Sequence, residues 1–166
     1  LVLMSHLGRP NGISQPDLSL MPIGEELAGL LEIPIKFSHD CISQNAIDTS
    51  LGLKPGEIHL LENLRFHKQE EQNEPKFSRQ IARHGSIFIN DAFGTSHRSH
   101  ASNVGVVKHF KHRGIGFLVE KEMIFLDNII RKPNRPLAVI LGGAKIKNKL
   151  SLIQALINNA DIIFIG

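Results

Sequence analysis

Ile58-His59-Leu60-Leu61-Glu62-Asn63-Leu64-Arg65 is an apolar run of strand length that stops abruptly on a polar, cation-bearing turn. The same pattern recurs along the chain. Leu1-Val2-Leu3-Met4-Ser5 runs into His6-Leu7-Gly8-Arg9-Pro10, and Ser86-Ile87-Phe88-Ile89 runs into the polar stretch from Asn90 to Arg98. Leu137 to Leu141 runs into Gly142-Gly143-Ala144-Lys145. Between these runs the apolar spacing changes to that of helices. Alternation of this kind predicts an α/β fold, Rossmann-like, with a parallel sheet and helices on both of its faces.

Ile23, Leu27, Leu30 and Leu31 fall on one helical face, and a weak strand follows at Ile35 to Ser38. A helix is expected from about Gln44 to Leu51, closed by Gly52 and the Lys54-Pro55-Gly56 turn. Pro75 begins another through Phe77 and Ile81, with Gly85 placed to cap it. Gly114-x-Gly116 reads as a breaker. Beyond it, Val119, Met123, Leu126 and Ile130 mark a helix with acids early and Arg131 and Lys132 late, as the helix dipole favours. Ile146, Leu150, Ile153 and Ile157 mark the next helix, and Asp161 to Ile165 a last strand. The expected organisation is a domain over residues 1–116, a connecting helix over 117–132 and the start of a second domain over 133–166.

The 166 residues are 42% hydrophobic and 21% charged, enough for a core without staples. The single Cys41 excludes an intramolecular disulfide scaffold, and no apolar run is long enough to span a bilayer as a helix. With one cysteine and no secretory signal in view, the expected compartment is the cytoplasm. Nineteen Lys and Arg against 16 Asp and Glu leave +3, and nine histidines add to it. An anionic partner suits that balance. Nucleic acid is not expected, because Trp and Tyr are absent and the cations are not arranged in a stripe. No Walker-A or G-x-G-x-x-G motif occurs.

In parallel sheets ligands bind beyond the carboxyl ends of the strands, where these four polar loops lie. Arg9, Arg65 and Arg98 each offer a planar fork for a carboxylate or phosphate, and His6 and His97 add donors. Gly142-Gly143 before a helix would let a phosphate approach the backbone, and Lys145 and Lys149 lie one turn apart there. Lysines at a helix start oppose the dipole, which favours a functional reason for them. Taken singly, each arginine also reads as an ordinary surface residue and the glycine pair as an ordinary turn. His97-x-x-His100 lacks a third ligand at metal spacing, and Cys41 reads as a small buried hydrophobe.

Ser5 to Pro10, Leu60 to Phe66, Asn90 to His100 and Leu141 to Lys145, in that order, resemble the phosphoglycerate kinase family. The resemblance covers nearly the whole chain. It implies a two-lobed kinase that moves a phosphoryl group between ATP and the carboxylate of 3-phosphoglycerate, giving ADP and 1,3-bisphosphoglycerate. It assigns His6, Leu7, Gly8, Arg9, Arg65, His97 and Arg98 to the substrate side. Gly142, Gly143 and Lys149 fall on the nucleotide side, and Lys145 at the transferring phosphoryl group. It implies Mg2+ carried with ATP or ADP, with the metal's protein ligand outside these residues, and a monomeric parent.

The chain departs from the family at Ser96 and Ser99, where alanine is common, and at Asn148, where aspartate is frequent. The family's amino-terminal strand and most of its nucleotide lobe are not among these residues. The sequence is therefore expected to be a piece of a longer protein, inactive alone and prone to associate through open sheet edges. The competing expectation is a non-catalytic remnant of the same fold that binds anions or nucleic acid.

Overall fold

The run that ends at Arg65 becomes the middle strand of a parallel sheet. The computed structural model describes residues 1–131, 133–142 and 150–166, and it divides the chain into two units, Leu1–Ile115 and Gly116–Gly166. In the first unit β1 (Val2–Leu3), β2 (Ile35–Ser38) and β3 (Ile58–Leu61) pair in the order β1-β3-β2, all parallel. Val2 lies opposite His59 and Ile35 opposite Ile58, so both flanking strands end on the same side as β3. A second parallel pair joins β4 (Ile87–Asn90) to β5 (His112–Ile115). The strands form separate short parallel sheets, and the α/β class is the one the alternation predicts.

Local sequence explains the helices. In α2 (Gln44–Leu51) the Ser43 hydroxyl accepts from the Ala46 amide at 3.2 Å, capping the first turn. In α4 (Pro75–Ile81) proline stands at the first position and Glu74 accepts from the Phe77 amide at 2.7 Å. A four-residue helix, α3 (Lys68–Glu71), precedes it. The core joins both sheets: Leu61, Phe77, Ile81, Phe88 and Val106 pack together, with Val2 and Met4 against them. Burying each large aliphatic or aromatic side chain contributes about 1.5–3 kcal/mol.

Three local expectations need correction. The apolar face of α1 (Met21–Leu31) is not the buried one: Ile23 is 52% and Leu30 73% exposed, and Gly24 is the helix's buried residue. A Cβ on Gly24 would come 3.3 Å from Leu60 Cδ2, so the helix meets the sheet through its smallest residue. Gly85 ends a 3-10 turn (Ala82–His84) in extended backbone, at φ −172°, not in the left-handed cap that glycine usually supplies. The stretch before Gly116 is strand β5, whose four residues are all exposed and therefore carry no apolar alternation to read.

In the second unit, α5 (Phe117–Arg131) covers the expected helix, and of its expected core face only Val119 is buried. β6 (Ala138–Leu141) and β7 (Ile162–Ile165) pair in parallel, with α6 (Leu150–Leu156) between them. Asp161 organises the entrance to β6: its carboxylate accepts from the Leu137 amide at 2.6 Å and pairs with Arg135 at 2.9 Å.

Candidate functional site

The loop leaving β3 is held by its own side chains. Asn63 is fully buried; its amide nitrogen donates to the carbonyls of Leu7 (2.8 Å) and Leu18 (2.9 Å), and its oxygen accepts from the Arg65 amide at 3.0 Å. Three chain segments are thereby tied at one point. Glu62, also buried, accepts from the Ser19 hydroxyl at 2.7 Å, the Leu20 amide at 2.8 Å and the Asn63 amide at 2.7 Å. A buried carboxylate is tolerable only with such partners.

Arg65 projects from this frame and is only 4% exposed. Its Nη1 donates to the Gly8 carbonyl at 2.8 Å. Among the described residues its Nε and Nη2 have no hydrogen-bond partner, although both are shielded from water. These two atoms form one side of the guanidinium fork, the edge that grips a carboxylate or phosphate with two parallel bonds. Gly8 fits its place for a conformational reason: its φ is +63°, and a Cβ there would lie 2.8 Å from Leu18 Cδ2.

Electrostatics show what surrounds Arg65. Burial lowers its proton affinity first, then the charge of Arg98; Glu71 and Glu70 oppose this, and Arg9 adds to it. An arginine so perturbed remains a cation. His6 is lowered by burial and then by Arg65, Arg98 and His100, with Glu71 opposing. His100 is lowered by burial, Arg65 and Arg98, with His97 contributing last. The loops after β1, β3 and β4 thus bring His6, Arg9, Arg98 and His100 within electrostatic range of Arg65, and His97 reaches the group through His100.

The loop after β4 has its own organiser. Asn103 accepts from Asn90 and from Thr95 at 3.2 Å each and donates to the carbonyls of Thr95 (2.6 Å) and Arg98 (3.3 Å). Glu70 ties the next turn down, accepting from the Ser102 amide at 3.0 Å and the Ser102 hydroxyl at 2.5 Å; it lies 3.7 Å from His100 Nδ1. Burial raises the Glu70 carboxyl above its usual range, and the two Ser102 bonds work against that.

The residues expected at the site therefore divide. His6, Arg9, Arg65 and Arg98 share one electrostatic cluster, and His97 lies exposed at its margin. Leu7 and Gly8 turn their carbonyls inward to Asn63 and Arg65, which makes them part of the frame. Gly142 follows β6 in the second unit and is exposed. Gly143, Lys145 and Lys149 lie outside the described residues. Asn63, Glu62, Glu70, Glu71 and His100 were not singled out as site residues from sequence. The one available signal was that Glu62 and Asn63 stand inside the same strand-end turn as Arg65.

Asp40, Cys41 and His67 bring possible metal-ligand atoms within 4.8 Å of one another. The Asp40 carboxylate already pairs with His67 Nε2 at 2.9 Å. Burial pushes the Cys41 thiol far above its ordinary value, with the charge of Asp40 adding. A thiol so held is a poor ligand, since metals take the thiolate.

Cation-bearing loops gathered beyond parallel strands define an α/β protein whose strand ends carry a cluster of arginines and histidines. Comparison with known proteins names the family. The family model described as phosphoglycerate kinase matches residues 1–166, and the chain belongs to that family. It is 48% identical over its full length to the phosphoglycerate kinase of Chlorobium phaeobacteroides (strain BS1) and 46% identical to that of Elusimicrobium minutum (strain Pei191). It spans 42% and 41% of those two relatives. Among solved structures, the phosphoglycerate kinase from Coxiella burnetii matches all of this chain with a TM-score of 0.84 at 31% identity, over 41% of its own length. The Pyrococcus horikoshii OT3 enzyme also gives 0.84, at 28% identity, over 99% of this chain and 42% of its own.

Proposed function

We propose that these residues belong to a phosphoglycerate kinase that transfers a phosphoryl group reversibly between ATP and the carboxylate of 3-phosphoglycerate. The observation that carries this reading is the Nε–Nη2 edge of buried Arg65, which makes no hydrogen bond and is set among His6, Arg9 and Arg98. In this reading the anionic substrate docks on that edge, and residues 1–116 form the substrate domain. The division of the chain after Ile115 supports that boundary. Residues 117–132 connect to a nucleotide domain that begins at 133, where Gly142, Gly143 and Lys149 receive the phosphates of ATP or ADP with Mg2+ and Lys145 meets the moving phosphoryl group.

The chemistry asks little proton transfer of the protein. The acceptor carboxylate is ionised at neutral pH, so no general base is needed. What must be supplied is charge neutralisation, so that two anions can meet, and orientation of the acceptor. A cationic cluster with donors held in place by the fold meets the first need. No helix among the described residues is long and apolar enough to cross a membrane, and the working place we propose is the cytoplasm, with the enzyme as a monomer.

The test is ATP-dependent phosphorylation of 3-phosphoglycerate by the protein expressed from its complete reading frame. Arg65→Ala and Lys145→Ala are each expected to lower kcat/KM by about 100-fold or more. The 166-residue stretch assayed by itself is expected to give no turnover. Absence of turnover in the complete protein, with anion binding retained, would replace the kinase reading by that of a non-catalytic binding protein.

A further inference from the structure

Glu71 ends the short helix α3 and is 41% exposed at its side chain. Its Oε1 stands 3.5 Å from Arg65 Nε, close enough for charge attraction, while Nε still has no hydrogen-bond partner. The same carboxylate raises the proton affinity of His6, His100 and Arg65, against the cations around them. Its neighbour Glu70 is committed elsewhere, to Ser102. Glu71 is thus a partly exposed anion standing at the edge of the arginine fork that lacks a hydrogen bond and is shielded from water.

Resting on the reading of this cluster as the 3-phosphoglycerate site, we propose that Glu71 is a built-in place-holder for the substrate's anionic group. It offsets the repulsion between Arg65 and Arg98 while the site is empty. The incoming phosphate displaces it, because a dianion with three acceptor oxygens satisfies both Nε and Nη2 where the carboxylate satisfies neither. Two consequences follow. Glu71 weakens substrate binding by competition, and it favours a dianion over monoanions, which gain too little from the cluster to displace it.

The experiment measures the dissociation constant for 3-phosphoglycerate by calorimetry at low salt, using the protein from its complete reading frame. Wild type, Glu71→Gln, Glu71→Asp and Arg65→Ala are compared, each checked for folding by circular dichroism. Glu71→Gln is expected to bind roughly fivefold tighter. Glu71→Asp, which keeps the charge, is expected to stay close to wild type. The gain in Glu71→Gln is expected to shrink as salt screens the cluster, and the KM for 3-phosphoglycerate should fall with the dissociation constant. A merely structural role for Glu71 would give weaker binding, the opposite sign. Should Glu71→Gln not fold, Glu71→Ala carries the same comparison. If wild type binds and Arg65→Ala does not, but the neutral variant binds no tighter than wild type, the place-holder role is overturned and the substrate site stands. If wild type itself does not bind 3-phosphoglycerate, the site assignment fails and the place-holder role with it.

Discussion

Arg65 donates through Nη1 to the Gly8 carbonyl at 2.8 Å, and the opposite edge of the guanidinium, Nε and Nη2, is left without a hydrogen bond. The two residues are 57 positions apart and follow different strands of one parallel sheet. Because the backbone accepts one end of the fork, the other end holds its direction before any anion arrives. A ligand then binds without having to order the arginine.

Gly8→Ala tests the backbone half of that arrangement. At φ +63° a side chain is strained, and the new Cβ would push on the Leu18 side chain from 2.8 Å. Strain of this kind costs on the order of 1–3 kcal/mol. We expect a loss of that magnitude in the unfolding free energy read by urea denaturation, and several-fold weaker binding of 3-phosphoglycerate, as the carbonyl that aligns Arg65 shifts. Unchanged stability together with unchanged binding would show that Gly8 aligns nothing.

Asn63→Ala tests the frame. It would leave the carbonyls of Leu7 and Leu18 and the Arg65 amide without their partner. Each buried group left unpaired costs about 1–3 kcal/mol, so a total loss of at least about 3 kcal/mol is expected. Chemical denaturation reads it directly. A loss below about 1 kcal/mol would mean that water takes over the role of the side chain.

A buried pair of histidines makes the fold sensitive to acid. His84 Nε2 donates to the Cys41 carbonyl at 2.9 Å, so its Nδ1 must accept from the Ser50 hydroxyl at 2.6 Å. The Ser50 oxygen then accepts from His59 Nδ1 at 2.8 Å, and His59 Nε2 accepts from the Ser38 hydroxyl at 2.8 Å. In this chain every donor has one acceptor and both rings are neutral. Burial holds His59 down to about 4, with His84 and Lys36 adding, and burial also lowers His84. The unfolded chain binds protons near pH 6.5 while the native state still refuses them, so stability falls as pH drops below about 6.5 and continues to fall towards about 4. Above that range the pair contributes no pH dependence. Melting temperature followed from about pH 7.5 to pH 5 should decline, and a flat profile would contradict this reading. Glu70, whose carboxyl is raised by burial, shifts stability the other way as it takes up a proton, so the decline read is net of that opposing contribution.

Strands with a hydrophobic reason to exist were legible in the chain. Ile35–Ser38 and Ile58–Leu61 fall at the expected residues, as does the helix Gln44–Leu51, because apolar spacing, caps and glycine turns agree there. His112–Ile115 was not legible. An exposed edge strand of His, Arg, Gly and Ile earns its pairing from β4 alone and carries no periodic signal. The face of α1 was misjudged for a related reason. Periodicity shows which residues share a side, but here the sheet is approached through Gly24, where close contact with Leu60 is allowed.

At the site, residue type was enough to mark Arg9, Arg65 and Arg98, since a guanidinium after an apolar strand is conspicuous in any reading. The parts played by Glu62, Asn63, Glu70 and Asn103 were not visible, because a buried polar side chain is defined by partners tens of residues away.

The sequence by itself determined the alternation of strands and helices and the family, since these rest on local periodicity and ordered motifs. Only the tertiary structure decided which edge of Arg65 is left without a hydrogen bond, which carboxylate is locked to Ser102 and which one faces the cations. Those are matters of hydrogen-bond partnership across long sequence separations. Each is settled when packing brings a donor to one acceptor and withholds it from another.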